Sequence, residues 1–335
     1  MKKFRIIILI MSLSLLISCG GSKKDKNEEE QGYKVGVIIS DGQDKFLKTL
    51  KEKFWENNKR VGLNLEVLDS GNSKEQQLSQ IDMLLEGNMD AYAVNLVDVS
   101  MAKDVIEKFK SKDKIVIFFN KEPSKEVLDS YSKAYYVGTE SKEAGIIQGQ
   151  LISSEWSENP NWDLNKDGII QYVILKGEPG HPDAEARTEW VVKVLEENGF
   201  KVEELGKDTA MWDKVKAKKV VNQWIGESGN KIELVISNND AMALGALESL
   251  NENGKVGIPV FGVDALPEAI QKIKSGEMTG TVLNDAKNQA DAILKMANNL
   301  SQGKGPVEGT RWRIEGNKVV RIPYLAVNKV NVLDF

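Results

Sequence analysis

Residues 33–69 read YKVGVIISDGQDKFLKTLKEKFWENNKRVGLNLEVLD, and the change of period within them sets the fold. Residues 33–40 form an almost unbroken apolar run, as in a strand buried on both faces. Residues 44–60 switch to a helical pattern, and 63–69 return to a strand. The rhythm continues outward. A helix is predicted over 73–87, with Leu78, Ile81, Leu84 and Leu85 along one face. Strands are predicted at 90–96, 114–119 and 134–138, with a helix at 102–111. Buried apolar strands separated by helices define a parallel sheet. A second series follows, with strands at 169–175, 234–237, 259–263 and 280–283 and helices at 184–198, 213–225, 241–251 and 285–303. Residues 311–327 lack a helical period and read as short strands. The fold class is α/β: two doubly wound, Rossmann-like lobes.

Open α/β sheets bind ligands at the carboxyl ends of their strands. Just past those ends lie Asp44 and Phe46, then Asn120, then His181, Asp183 and Arg187. Asn239 and Asp240, Asp264 and Asn284 complete the set. Each has an ordinary reading as well: Asn and Asp are frequent turn and helix-capping residues, and Asp183 is placed to cap a helix from Ala184. His181 between Gly180 and Pro182 reads alone as a surface turn, and Trp212 alone as core. Their coincidence at the strand ends of both halves points to a shared site. Carboxylates and amides with one His and one Arg suit a ring of hydroxyls, each donating to some partners and accepting from others. The same inventory is poor for phosphate. Phe46 and Trp212, in opposite halves, can supply flat faces for the C–H surfaces of a sugar.

Residues 163–171, DLNKDGIIQ, place oxygen side chains at loop positions 1, 3, 5 and 9 through Asp163, Asn165, Asp167 and Gln171. Gly168 stands at position 6. This is most of a calcium-binding loop. Position 12, where an EF-hand supplies a bidentate Glu, is Ile174, inside an apolar run. The loop is therefore expected to open into a strand, with its closing carboxylate coming from elsewhere.

The amino terminus reads as a targeting segment. Lys2, Lys3 and Arg5 precede an apolar run at 6–17 that ends in Leu16-Ile17-Ser18-Cys19, which resembles a bacterial lipobox. Residues 1–18 are expected to be a lipoprotein signal peptide, with Cys19 carrying lipid and 19–32 forming a flexible lipid-anchored tether. The protein is then exported and faces the periplasm or cell exterior, held to the membrane through the anchor alone. Cys19 is the sole cysteine, so an intramolecular disulfide is excluded. The formal net charge of −5 becomes more negative once the basic leader is removed, which argues against a nucleic-acid partner.

Over residues 33–327 the chain resembles the periplasmic D-galactose/D-glucose-binding proteins of ABC sugar uptake. The stretches that carry the resemblance include Phe118-Phe-Asn-Lys-Glu-Pro-Ser124, Trp162-Asp-Leu-Asn-Lys-Asp-Gly168 and Leu175-Lys-Gly-Glu-Pro-Gly-His-Pro-Asp-Ala-Glu-Ala-Arg187. Asp208-Thr-Ala-Met-Trp-Asp213, Pro259-Val-Phe-Gly-Val-Asp-Ala-Leu-Pro267 and Gly280-Thr-Val-Leu-Asn-Asp285 extend it. The resemblance implies a class I periplasmic binding protein that is not an enzyme and acts as a monomer. The sugar would be sandwiched by Phe46 and Trp212 and bonded by Asp44, Asn120, His181, Asp183, Arg187, Asn239, Asp264 and Asn284. It further implies a structural Ca2+ held by Asp163, Asn165, Asp167, the Ile169 carbonyl, Gln171 and Glu233. The lobes would comprise 33–139 with 284–320 and 140–283 with 321–335. Three crossovers are expected, near 111–120, near 139–142 and from Asn284 to the tail. The partners that the resemblance implies are the ABC permease subunits and a chemoreceptor. One position departs from the family: Ser40 stands where a tyrosine is usual. Two alternatives stay open, namely another monosaccharide such as ribose or xylose, and a glycoside-acting enzyme built on paired carboxylates such as Asp44 and Asp183.

Overall fold

The strand β1 (Lys34–Ile39) sends Val35, Val37 and Ile39 into one core and Ile38 into another, because it is central and covered on both faces. The computed structural model describes residues 32–335; the predicted signal peptide, Cys19 and the tether up to Gln31 lie outside them. After β1 come α1 (Lys45–Val61), β2 (Asn64–Asp69), α2 (Lys74–Glu86), β3 (Ala91–Val94) and α3 (Ala102–Ser111). Then follow β4 (Ile115–Phe119), α4 (Lys125–Asp129), β5 (Ala134–Gly138) and α5 (Ser141–Glu158). The second half runs β6 (Ile169–Lys176), α6 (Pro182–Glu197), β7 (Lys201–Thr209), α7 (Lys214–Ser228), β8 (Leu234–Ser237) and α8 (Asp240–Glu252). It ends with β9 (Val260–Phe261), α9 (Pro267–Ser275), β10 (Gly280–Leu283), α10 (Ala286–Ser301), β11 (Val319–Arg321) and β12 (Leu325–Asn328). Residues 32–335 form one compact unit.

Two six-stranded sheets result, ordered β11-β5-β4-β3-β1-β2 and β12-β10-β9-β8-β6-β7. Pairing is parallel throughout except that β12 runs antiparallel to β10. Both sheets step outward from their first strand in the same order, with the second strand on the opposite side. That places a topological switch point in each lobe.

The chain passes between sheets three times: at 139–140 between β5 and α5, at 284–285 between β10 and α10, and at 322–324 between β11 and β12. The crossover expected near 111–120 is not one. Residues 112–114 join α3 to β4, whose strand neighbours β3 and β5 belong to the first sheet. The last passage falls after Arg321, which still pairs with β5, one residue later than the sequence boundary. Helix α10 returns to the first lobe because Ala290, Ile293, Leu294 and Ala297 pack in the core that holds Leu50 and Phe54 of α1.

Candidate functional site

Side chains that follow the strands of both sheets line one cleft of about 160 Å3. Pockets for drug-sized ligands run to roughly 300–1,000 Å3, so this one suits a single small molecule. All ten residues expected to contact the sugar line it: Asp44, Phe46, Asn120, His181, Asp183, Arg187, Trp212, Asn239, Asp264 and Asn284. Asp240, at the same strand end as Asn239, turns away. Its carboxylate accepts from Thr281 Oγ1 at 2.6 Å and from the Leu266 N–H at 2.8 Å.

On the first lobe Asp44 both caps α1 and lines the cleft. Its Oδ1 accepts from the Leu47 N–H at 2.8 Å, and burial raises its pKa. Asn120 sits at φ 62°, a left-handed conformation that Asn tolerates better than most residues. Its Oδ1 accepts from Asn95 Nδ2 at 3.1 Å, which leaves its own amide hydrogens for a ligand. Asn95 is held in turn by Ser40, whose Oγ donates to Asn95 Oδ1 at 2.6 Å. Ser40 therefore lines the mouth while committing its hydroxyl to the support of Asn120.

On the second lobe His181, not Asp183, caps α6: the Asp183 N–H donates to His181 Nδ1 at 3.1 Å. Far from a surface turn, His181 is buried, and that burial pushes its pKa down to about 4. An imidazole that accepts at Nδ1 and stays neutral carries its proton on Nε2 and can donate there. Asp183 accepts from Ser141 Oγ at 2.7 Å and pairs with Arg187 Nη2 at 2.8 Å, one turn along α6. Arg187 also donates to the Asn238 carbonyl and to the Tyr324 hydroxyl, each at 2.9 Å. Its Nε is buried with no protein partner, an unmatched donor on a residue that lines the cleft.

Trp212 stands at φ 63° and lies flat over Gly177, where a Cβ would come within 2.2 Å of the indole. Only glycine lets the ring settle there. The His181 ring meets Trp212 edge-on at 5.3 Å. Asn239 caps α8 through the Met242 N–H. Asp264 adopts φ 116°, a conformation unfavourable for any residue with a Cβ and typical of functional positions. Burial raises its pKa well above the usual range. Asn284 Nδ2 reaches Asp264 Oδ1 at 3.3 Å, and Asn284 Oδ1 accepts from Gln289 Nε2 on α10 at 2.6 Å. Six carboxylates line the cleft against two cations, Lys121 and Arg187, each of which already has an acid partner, so an anion is disfavoured and a neutral polyol is favoured.

The strand-end reading missed Lys121 and Glu178, which also line the cleft. Lys121 Nζ donates to the Val97 carbonyl at 2.6 Å and to Glu178 Oε2 across the cleft at 2.9 Å. Both lie just past a strand, so the same rule includes them. A charged residue in a loop reads as solvated unless its partner is known. Asp41, Gln43, Asn72, Met211 and Asp213 form the outer rim, where their exposure gives no sequence signal.

The oxygen-rich loop opens directly into β6 at Ile169. Gly168 takes φ 73°, the bend that its position requires. Among the described residues no three His, Cys, Asp or Glu side chains converge closely enough to hold a metal by themselves. The donor set here is mixed, with carboxylates from Asp163, Asp167 and Glu233 and amide oxygens from Asn165 and Gln171. Glu233, distant in sequence, joins the loop: its Oε1 accepts from the Leu164 N–H at 2.6 Å and its Oε2 from the Gln171 N–H at 3.3 Å. Gln171 Oε1 is buried with no partner. The pKa of Glu233 is raised by burial and, to a smaller extent, by Asp163. An orphaned amide oxygen among crowded carboxylates fits a hard cation such as Ca2+.

Fold and cleft together define a protein that encloses a small neutral polar ligand between two lobes. The chain belongs to the periplasmic binding protein domain family, whose model matches residues 35–305. It is 50% identical over 304 residues to the D-galactose/methyl-galactoside binding periplasmic protein MglB of Haemophilus influenzae, covering 90% of this chain and 91% of that protein. An ABC transporter solute-binding protein from Bacillus halodurans with bound myo-inositol superposes with a TM-score of 0.75 at 28% identity, over 92% of this chain and 98% of that one. A periplasmic solute-binding protein from Actinobacillus succinogenes with bound D-allose gives 0.78 at 18% identity, over 90% and 100%, and shares the fold. The protein is thus a binding protein and not an enzyme, of an exported family. Among the described residues no helix is long and apolar enough to cross a membrane.

Proposed function

We propose that this protein is the sugar-binding component of an ABC importer, taking D-galactose and D-glucose into the cleft and presenting the closed form to its permease. The observation that carries this is the convergence of ten polar and aromatic side chains, from both lobes, on one cavity of monosaccharide size. The 50% identity to a galactose-binding relative supports it. Phe46 and Trp212 stack on the pyranose faces. Asp44, Asp183 and Asp264 accept from hydroxyls, the Asn residues do both, and Arg187 Nε and His181 Nε2 donate. Ligand touching both lobes favours closure because its contacts differ between open and closed states.

Titration of residues 32–335, freed of bound sugar, with D-galactose and then D-glucose by calorimetry tests the reading. Saturable one-site binding of both is expected. Silence with both, from folded protein that binds another monosaccharide in a panel, moves the ligand assignment and keeps the class.

The calcium loop is assigned a structural role on the second lobe, with Asp163, Asn165, Asp167, the Ile169 carbonyl, Gln171 and Glu233 holding Ca2+ away from the sugar. Lipidation of Cys19 tethers the protein to a membrane, and the closed surface is also what a chemoreceptor would read. Both belong to this proposal.

A further inference from the structure

We propose that Tyr324 is a positioning residue that couples Arg187 to the hinge, so that ligand engagement at Arg187 and the angle between the lobes are set together. This rests on the reading of Arg187 as a ligand residue. Tyr324 lies in the third crossover and Thr139 in the first. Their hydroxyls meet at 2.8 Å. The Tyr324 hydroxyl also accepts from Arg187 Nη2 at 2.9 Å, and the guanidinium carbon lies 5.8 Å from the centre of its ring. Ser141, just past the first crossover, donates to Asp183 at 2.7 Å. The Asp183–Arg187 pair is therefore held by side chains at two of the crossovers, Ser141 and Tyr324, while Arg187 Nε has no protein partner.

Thr139, Tyr324, Asp183 and Arg187 are all buried, so these bonds are made in the absence of competing water. Rotation of the lobes requires backbone change at the crossovers. The hydroxyl bridging two crossovers is the point where such a change reaches Arg187. A buried side chain serving only stability would need one partner; this hydroxyl has one partner on the opposite hinge segment and another in the site.

The test is Tyr324→Phe in residues 32–335, which keeps the ring and removes the hydroxyl. Spin labels at Lys103→Cys and Lys219→Cys, exposed positions on α3 and α7, report the interlobe distance. Galactose affinity is expected to fall about tenfold or more, since a hydrogen bond to a charged group is lost. The sugar-bound distance distribution is expected to broaden toward the open form. Thr139→Val, which spares the Arg187 bond, is expected to shift the distances with a smaller loss of affinity, and Thr139→Ser to restore them. Wild-type affinity and distances in Tyr324→Phe would overturn the proposal. If it does not fold, unchanged distances in Thr139→Val would do so. A purely structural role would lower the melting temperature while leaving the distances alone. Failure of the wild type itself to bind either sugar would fall on the ligand assignment; identical unliganded distances in wild type and variants would still sink the coupling.

Discussion

Arg187 commits both terminal nitrogens to the protein, on Asp183, Asn238 and Tyr324, and leaves Nε without a protein partner, the donor that the proposed function gives to the sugar. Lysine retains the charge but cannot hold that fork. Arg187→Lys is therefore expected to weaken sugar binding about 100-fold or more, read by calorimetry with the fold checked by circular dichroism; near-native affinity would remove Arg187 from the site. Its neighbour Asp240 gives a stability prediction with a definite sign. Burial raises its pKa to about 7, above the unfolded value. Its contribution is therefore fully present at acid pH and is lost as pH rises from about 4 to about 7. His181, depressed to about 4 by burial, runs the other way and loses stability as pH falls from about 6.5 to about 4. The comparison of Asp240→Asn with wild type isolates the first effect, because Asn keeps the shape, can accept from the Leu266 N–H through Oδ1 and can donate to Thr281 Oγ1 through Nδ2. The unfolding free energy of the variant relative to wild type should climb across the window from about 4 to about 7, by as much as a few kcal/mol, and level off above it. A pH-independent difference would show that Asp240 is ionised throughout.

At the scale of elements, the central parallel strands were legible because they are apolar runs covered on both faces. Four elements were not. Strand β7 (KVEELGKDT) is a polar edge strand with Val202 and Leu205 as its only large apolar residues. Helix α5 buries Ala144, Gly145, Gln148, Gly149 and Ser153 beside a few larger side chains, so no apolar stripe marks it. Those small residues are there for close approach: a Cβ on Gly149 would come within 2.7 Å of Val194 on α6. Helices α4 and α9 are too short to show a period. The residues that line the cleft were readable since sheet topology places them at strand ends, whereas Tyr324 and Thr139 act through other side chains and leave no pattern in the chain. The calcium loop makes its own prediction. Its proposed donors come from the loop, β6 and Glu233, so a cation held there would tie the start of the second sheet together. Chelation should lower stability by on the order of 2–4 kcal/mol and the melting temperature by several degrees, with sugar affinity held within about twofold. Asp163→Ala should abolish that response. A calorimetric melting curve indifferent to added chelator, from protein loaded with Ca2+, would refute the site.

At the scale of the whole molecule, the two lobes are joined by three chain passages and, across the cleft, by Lys121 and Glu178. Lys121 is nearly buried and Glu178 is partly exposed, so the pair is intermediate between a surface bridge and a fully desolvated one. Because its members belong to different lobes, it forms only when they are together, and its free energy enters the closing equilibrium directly. Lys121 keeps the Val97 carbonyl when Glu178 is removed, so that loss does not strand a buried charge. Glu178→Gln should accordingly cost about 1 kcal/mol of closed-state stability, which is roughly fivefold in sugar affinity. The change should appear in the dissociation rate, since the open form that meets sugar first lacks the pair. Stopped-flow fluorescence from Trp212 separates the two rate constants. A double-mutant cycle with Lys121→Met should show that the second substitution adds little once the first is made. Wild-type affinity should decline with added salt while that of the double variant stays level. Additive losses in the cycle, or a fall confined to the association rate, would mean that the pair shapes the cleft without holding it shut.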